Sequence, residues 1–160
     1  MKSFYSAAML CLAMLMLAAC GKKEDTPVPT KAPTELLAGT ISKTWAFKNG
    51  SLTAASSPNQ PIDVKVVLQA CNLDNMTIFK ANGTVLTDEG ATKCSVTTPQ
   101  LQDKGTWMLS TDGKKLTIKD TLGSNQDLDI VELTETTLTT RFVIGDKTTA
   151  TTYTLSYTVK

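Results

Sequence analysis

The stretch Cys71-Asn-Leu-Asp-Asn-Met-Thr-Ile-Phe-Lys-Ala-Asn-Gly-Thr-Val-Leu-Thr-Asp-Glu-Gly-Ala-Thr-Lys-Cys94, followed after a loop by Gly105-Thr106-Trp107, decides how this chain folds. Met76 to Ala81, with Ile78 and Phe79, favours a strand. Asn82-Gly83 then gives the strongest short turn signal, because both central positions of a type I′ turn need positive φ. Thr84 to Thr87 returns as a second strand, and Asp88-Glu89-Gly90 ends it. A hairpin therefore lies between two cysteines, and a third strand opens on the Gly-x-Trp.

Cys71 enters this hairpin and Cys94 leaves it, so the two are expected close together. A redox or metal pair is one reading; a structural disulfide is the favoured one. The chain has no histidine, and two separated cysteines do not make a zinc site. Closing a loop of this size stabilises by about 3 kcal/mol in the chain-entropy model.

The same alternation runs through the rest of the body. Gly39 to Asn49 reads as the first strand, with Ile41, Trp45 and Phe47 on one face and Lys43 interrupting that face. Asn49 to Pro61 reads as a polar loop, and Ile62 to Ala70 as an extended segment turning into a short helix before Cys71. Ser95 to Lys104 reads as a loop, then Gly105 to Thr111 as a strand with Trp107 and Leu109 on one face. Asp112-Gly113 is a second two-residue turn signal. Lys115 to Asp120 returns with Leu116 and Ile118 inward. Asp127 to Leu133 carries Leu128 and Ile130 inward. Thr137 to Ile144 places Leu138, Phe142 and Ile144 on one face, with Arg141 on the other. Thr149 to Val159 closes with Tyr153, Leu155, Tyr157 and Val159. These elements give an all-β fold of about eight antiparallel strands. The consecutive hairpins favour an up-and-down barrel over a sandwich. A barrel of that size is either packed shut or holds one small ligand.

The positions Cys71, Asp74, Asn75, Phe79, Gly83, Glu89, Gly90, Cys94, Gly105 and Trp107 together resemble the lipocalin-like domains of small Bacteroidetes lipoproteins. The resemblance spans Leu36 to Lys160 and carries no catalytic motif. A lipocalin has Gly-x-Trp on its first strand, where this chain has Lys43-Thr44-Trp45. The resemblance also implies an arginine packed over that tryptophan near the closed end. Arg141 is the only arginine, and so the candidate partner of Trp45.

At the amino end, Met1-Lys2 precedes an apolar run from Ala7 to Leu17, too short to span a membrane. It ends Leu17-Ala18-Ala19-Cys20, which reads as a bacterial lipobox with cleavage after Ala19 and acylation of Cys20. Acyl chains contribute about 0.8 kcal/mol per buried methylene, so several anchor stably. Cys11 leaves with the leader and Cys20 carries lipid. Cys71 and Cys94 remain as an even pair in an oxidising compartment. Residues 1–19 are then a signal peptide, 20–35 a Pro- and charge-rich tether, and 36–160 the barrel domain. The expected location is the bacterial outer membrane, on its surface or its periplasmic face. The leader removes Lys2 and no acid, so basic and acidic side chains balance in the mature chain. No basic run points to nucleic acid.

The chemistry-bearing residues are sparse. There is no Gly-x-Ser-x-Gly elbow, no Ser–His or Cys–His pair and no phosphate loop. Carboxylates at Asp74, Asp88, Glu89, Asp127, Asp129, Glu132 and Glu135 read as turn caps and solvated strand ends. A non-enzyme with no cofactor and no metal is expected. The inward aromatics Trp45, Phe47, Phe79, Trp107, Phe142, Tyr153 and Tyr157 form either plain core or the wall of a ligand cavity. Two functional readings follow. One is non-catalytic binding of a small apolar ligand or glycan fragment by a membrane-anchored barrel. The alternative is a structural or accessory lipoprotein that docks an envelope protein partner. Asp120-Thr121-Leu122 is in addition similar to a short O-glycosylation motif.

Overall fold

Alternating apolar and threonine-rich segments pair in sequence order until the last strand meets the first. The computed structural model describes residues 31–160. It contains helix α1 (Pro33–Ala38), β1 (Ser42–Ala54), β2 (Ile62–Asp63), a 3-10 turn at Val64–Val66 and helix α2 (Ala70–Leu73). There follow β3 (Met76–Lys80), β4 (Thr84–Asp88), β5 (Leu101–Leu109), β6 (Lys115–Lys119), β7 (Asn125–Leu133), β8 (Thr137–Ile144) and β9 (Thr151–Val159). The expected signal peptide 1–19, with Cys11, and Cys20 and the expected tether as far as residue 30 lie outside the described residues.

All pairings are antiparallel, and β1 bonds to both β3 and β9, which closes an eight-stranded barrel of β1 and β3–β9. The two-residue β2 adds to β1 beyond the point where β3 stops, at Ser51 and Leu52. The registers put Ser42, Lys80, Thr84, Leu133 and Thr137 toward one end, the floor. The 55–75 connection and the β4–β5, β6–β7 and β8–β9 loops gather at the other end, the mouth.

The hairpin turns differ from the two-residue type I′ turns expected. Gly83 N–H donates to Lys80 O at 3.0 Å, Gly113 to Ser110 O at 2.8 Å and Gly123 to Asp120 O at 3.0 Å. Each is thus a four-residue turn that ends on a glycine with positive φ, at 87°, 70° and 92°. At Gly83 and Gly123 this is a three-residue loop with a glycine bulge, the next most common hairpin solution; at Gly113 the loop is one residue longer, with Ser110 opposite Lys115. The glycine supplies the left-handed residue that lets the strands resume pairing.

β1 runs on through Asn49–Ala54, which the polar composition marks as loop. The reason is the partner strand: β9 pairs with it from Ala54↔Thr151 to Trp45↔Val159. A bulge between Phe47 and Asn49 resets the alternation. Trp45 and Phe47 face inward before it, and Gly50 and Leu52 after it, opposite Leu155 and Tyr153. β5 likewise starts at Leu101, not Gly105, because it continues to pair with β4 as far as Asp88↔Leu101. Three residues expected on apolar faces do not reach the core: Ile41 precedes β1 at a bend, Ile144 ends β8 at the rim and Val159 ends β9, so all three are exposed.

The floor is built by α1. Pro33 sits in its first turn, where a missing N–H costs nothing, and Glu35 complements the positive helix start. Gly39 ends the helix and donates to Glu35 O at 2.8 Å. Leu37 and Ala38 are buried and join Trp45, Phe79, Val85, Trp107, Leu116, Leu128 and Leu138 in one core. That core fills the floor half of the barrel and leaves the mouth half less packed.

Candidate functional site

Two chambers lie inside the mouth half and centre of the barrel. The inner one, about 60 Å³, is lined by Trp45, Thr77, Phe79, Leu116, Ile118, Leu128, Leu138, Thr140 and Tyr157. The outer one, about 220 Å³, is lined by Phe47, Leu68, Asn72, Asn75, Thr77, Thr87, Leu155 and Tyr157. Thr77 and Tyr157 line both, so these two side chains divide them. Pairing explains the placement: Trp45 lies opposite Thr77 on one side, and Phe47 opposite Tyr157 on the other.

The seven aromatics expected inside fall into separate groups. Trp45, Phe79 and Tyr157 border the inner chamber, and Phe47 borders the outer one. Phe47 meets Tyr157 edge to face, with ring centroids 6.1 Å apart. Trp107 lies behind Phe79, edge to face at 5.9 Å, and its indole N–H donates to Lys80 O at 3.0 Å. Phe142 and Tyr153 stack on each other at 5.1 Å and border neither chamber. Burial pushes the Tyr157 phenol up to about 12, because the charged phenolate would lose its hydration.

The polar groups of the site were not picked out from composition. Thr140 is 2% exposed, lines the inner chamber, and its hydroxyl oxygen has no hydrogen-bond partner among the described residues. Asn75, with its amide turned so that nitrogen donates, reaches Cys71 O at 3.2 Å and Glu89 O at 3.0 Å. It therefore ties the mouth segment to the β4 end. Alongside it Cys71 and Cys94 form a disulfide with Cα atoms 5.2 Å apart. The Asp74 carboxylate accepts from Thr92 N at 2.8 Å, Ala91 N at 2.9 Å and Thr92 Oγ1 at 2.9 Å. Its pKa is held below the usual carboxylate range, chiefly by the Thr92 backbone N–H. The outer chamber is thus roofed by a segment that is cross-linked and hydrogen-bonded in place.

These features decide the relationship. An eight-stranded meander barrel, floored by a helix under a first-strand tryptophan, coincides with a family-model match to a lipocalin-like domain over residues 41–140. The chain belongs to the lipocalin-like domain family. Among curated proteins, none matches it.

The lipocalin-like barrel is a scaffold with ligand-binding capacity, and the family generally binds ligands rather than catalysing reactions. One expected feature of the resemblance is corrected here. Arg141 does not cover Trp45; it faces outward and pairs with Asp129 at 3.2 Å. Lys43 takes that place instead. Its ammonium lies 4.8 Å from the Trp45 ring centroid and donates to Leu36 O at 2.7 Å. Burial, ahead of the nearby Lys31, lowers its pKa. The residue that breaks the apolar face of β1 is therefore the cation of the floor. The outward carboxylates are also placed: Asp127 accepts from Thr117 Oγ1 at 2.7 Å, and Asp88 accepts from Gly90 N at 2.9 Å and Gln100 Nε2 at 2.6 Å. Buried Glu89 accepts from Gln102.

Proposed function

We propose that the chain is a non-catalytic binding module, lipid-anchored through Cys20 at a bacterial outer membrane, which takes a small apolar ligand or glycan fragment into its barrel. The observation that carries this reading is the pair of adjoining chambers at the centre and mouth half of a lipocalin-like barrel, walled mainly by aliphatic and aromatic side chains. Small-molecule sites have this make-up, apolar walls with a few placed polar groups. The anchor rests on Leu17-Ala18-Ala19-Cys20 and on the even cysteine pair left after it. Native mass spectrometry of the protein taken from its own envelope tests the reading. A bound small molecule is expected to accompany the chain; repeated recovery of the bare mass under gentle conditions would overturn it.

A second reading, an accessory lipoprotein docking another envelope protein, is favoured by one observation. Val66, Val67, Val96 and Leu122 stand 74%, 54%, 94% and 91% exposed on the mouth-end loops. An apolar rim of that kind suits a protein contact. Cross-linking in intact cells separates the two readings: a defined protein adduct through the rim supports docking.

A further inference from the structure

We infer that the occupant of the barrel is an uncharged amphiphile, a short apolar chain bearing one hydrogen-bonding group such as an alcohol or aldehyde, whose polar end meets Thr140. This rests on reading the barrel as a ligand-binding site. The starting point is the buried hydroxyl. Thr140 follows Leu138 on the inward row of β8, and its neighbours across the sheet are Ile130 and Leu155, which have no side-chain polar atom to offer it. Its oxygen is left without a partner among the described residues. Buried polar groups are paired in the great majority of folds, and an orphan in a chamber whose other polar side chains are only Thr77 and Tyr157 calls for an explanation. A valine of the same shape would fill the position without that penalty.

The rest of the lining sets the charge and size. Among the described residues, no Lys, Arg, Asp or Glu lines either chamber. A carboxylate or ammonium carried inside would be buried with no counter-charge, which is far costlier than burying a neutral polar group. The ligand's polar end is therefore neutral. The chambers, at about 60 and 220 Å³, fall short of the usual pocket for a drug-sized molecule even when joined. The occupant is therefore small. It reaches Thr140 by passing between Thr77 and Tyr157, with its chain left in the outer chamber against Phe47 and Leu155.

The test compares n-hexanol, hexanoate and hexane at neutral pH, with the Cys20→Ala chain in detergent-free buffer as parent, by calorimetry and by tryptophan emission. Hexanol is expected to bind, and hexanoate at least about tenfold more weakly. Thr140→Val is expected to weaken hexanol about tenfold, to leave hexane unchanged, and to keep or raise the melting temperature. Thr140→Ser should restore hexanol binding. Equal affinity for hexanoate and hexanol overturns the inference, as does a valine variant that is folded and binds hexanol as the parent does. If all three probes fail to bind the parent chain, the binding reading of the barrel itself is overturned. That result differs from either of the others.

Discussion

The indole N–H of Trp45 donates a 2.8 Å hydrogen bond to the carbonyl of Leu37. This one contact ties β1 to the last turn of α1, where helix carbonyls lack intrahelical partners. Both residues are fully buried, so the bond is out of reach of solvent competition. Trp45→Phe keeps an aromatic ring but leaves the Leu37 carbonyl unpaired. The expected loss is about 1–3 kcal/mol, read as a lower urea midpoint at unchanged slope. An unshifted midpoint would show that α1 is not held to the barrel by this bond.

The Cys71–Cys94 bridge spans 23 residues and pins the roof of the outer chamber. Replacing both cysteines by serine is expected to cost about 3 kcal/mol and to expose the α2 segment to proteolysis first. Equal melting temperatures for variant and parent would mean that Asp74 and Asn75 hold the segment unaided.

Asp74 gives this region an acid-sensitive contact. Its folded pKa is depressed, first by the Thr92 backbone N–H and then by the Thr92 hydroxyl and the Ala91 backbone N–H. The sign follows: its contribution is present above the ordinary carboxylate range and is lost as pH falls through the depressed folded value. Asp74→Asn should therefore flatten the acid limb of a plot of melting temperature against pH, while differing from the parent most at neutral pH. Parallel acid limbs for the two proteins would refute the assignment.

Gly105 has φ of 108° at the point where the β4–β5 register shifts. A Cβ there would collide with the Lys119 carbonyl oxygen and lie 3.0 Å from the Asp120 Cα. Gly105→Ala is expected to destabilise by about 1–3 kcal/mol. The first glycine of the Gly-x-Trp pattern is thus required by backbone geometry, whereas Trp107 two residues on serves packing. A variant with the parent's thermal midpoint would count against this.

On the proposed lipid anchor, Cys20→Ala should move the protein from the membrane fraction to the soluble fraction, because acyl chains would supply the attachment. The readout is fractionation without detergent, alongside metabolic labelling with a fatty acid. A variant that still needs detergent for extraction would rule out lipid as the anchor.

Much of the barrel was legible because its signals are local. Ile78-Phe79, Asn82-Gly83 and Thr84–Thr87 specify a hairpin without reference to anything distant, and the structure places β3 and β4 there. Elements set by a partner strand were harder. Asn49–Ala54 looks like loop in isolation and becomes strand only because β9 lies beside it. The bulge after Phe47 also cannot be seen in composition, yet it reverses which residues face inward. For the site, the aromatic list mixed wall with core: Trp107, Phe142 and Tyr153 share the inward pattern of Trp45 but pack against other rings. Thr140 carried a readable signal, a polar residue in phase with Leu138 and Phe142. Arg141 was assigned to Trp45 through family resemblance, although its alternation on β8 already pointed it toward solvent.

The seam between β1 and β9 has a consequence for how the molecule is made. Trp45 and Val159 are partners, so residues that emerge early from the ribosome wait for residues that emerge last. Until β9 is in place, β1 and β8 each present a raw edge with no mate. Proteases and holding chaperones thus meet an unsealed cylinder, and the final strand ends that period of vulnerability.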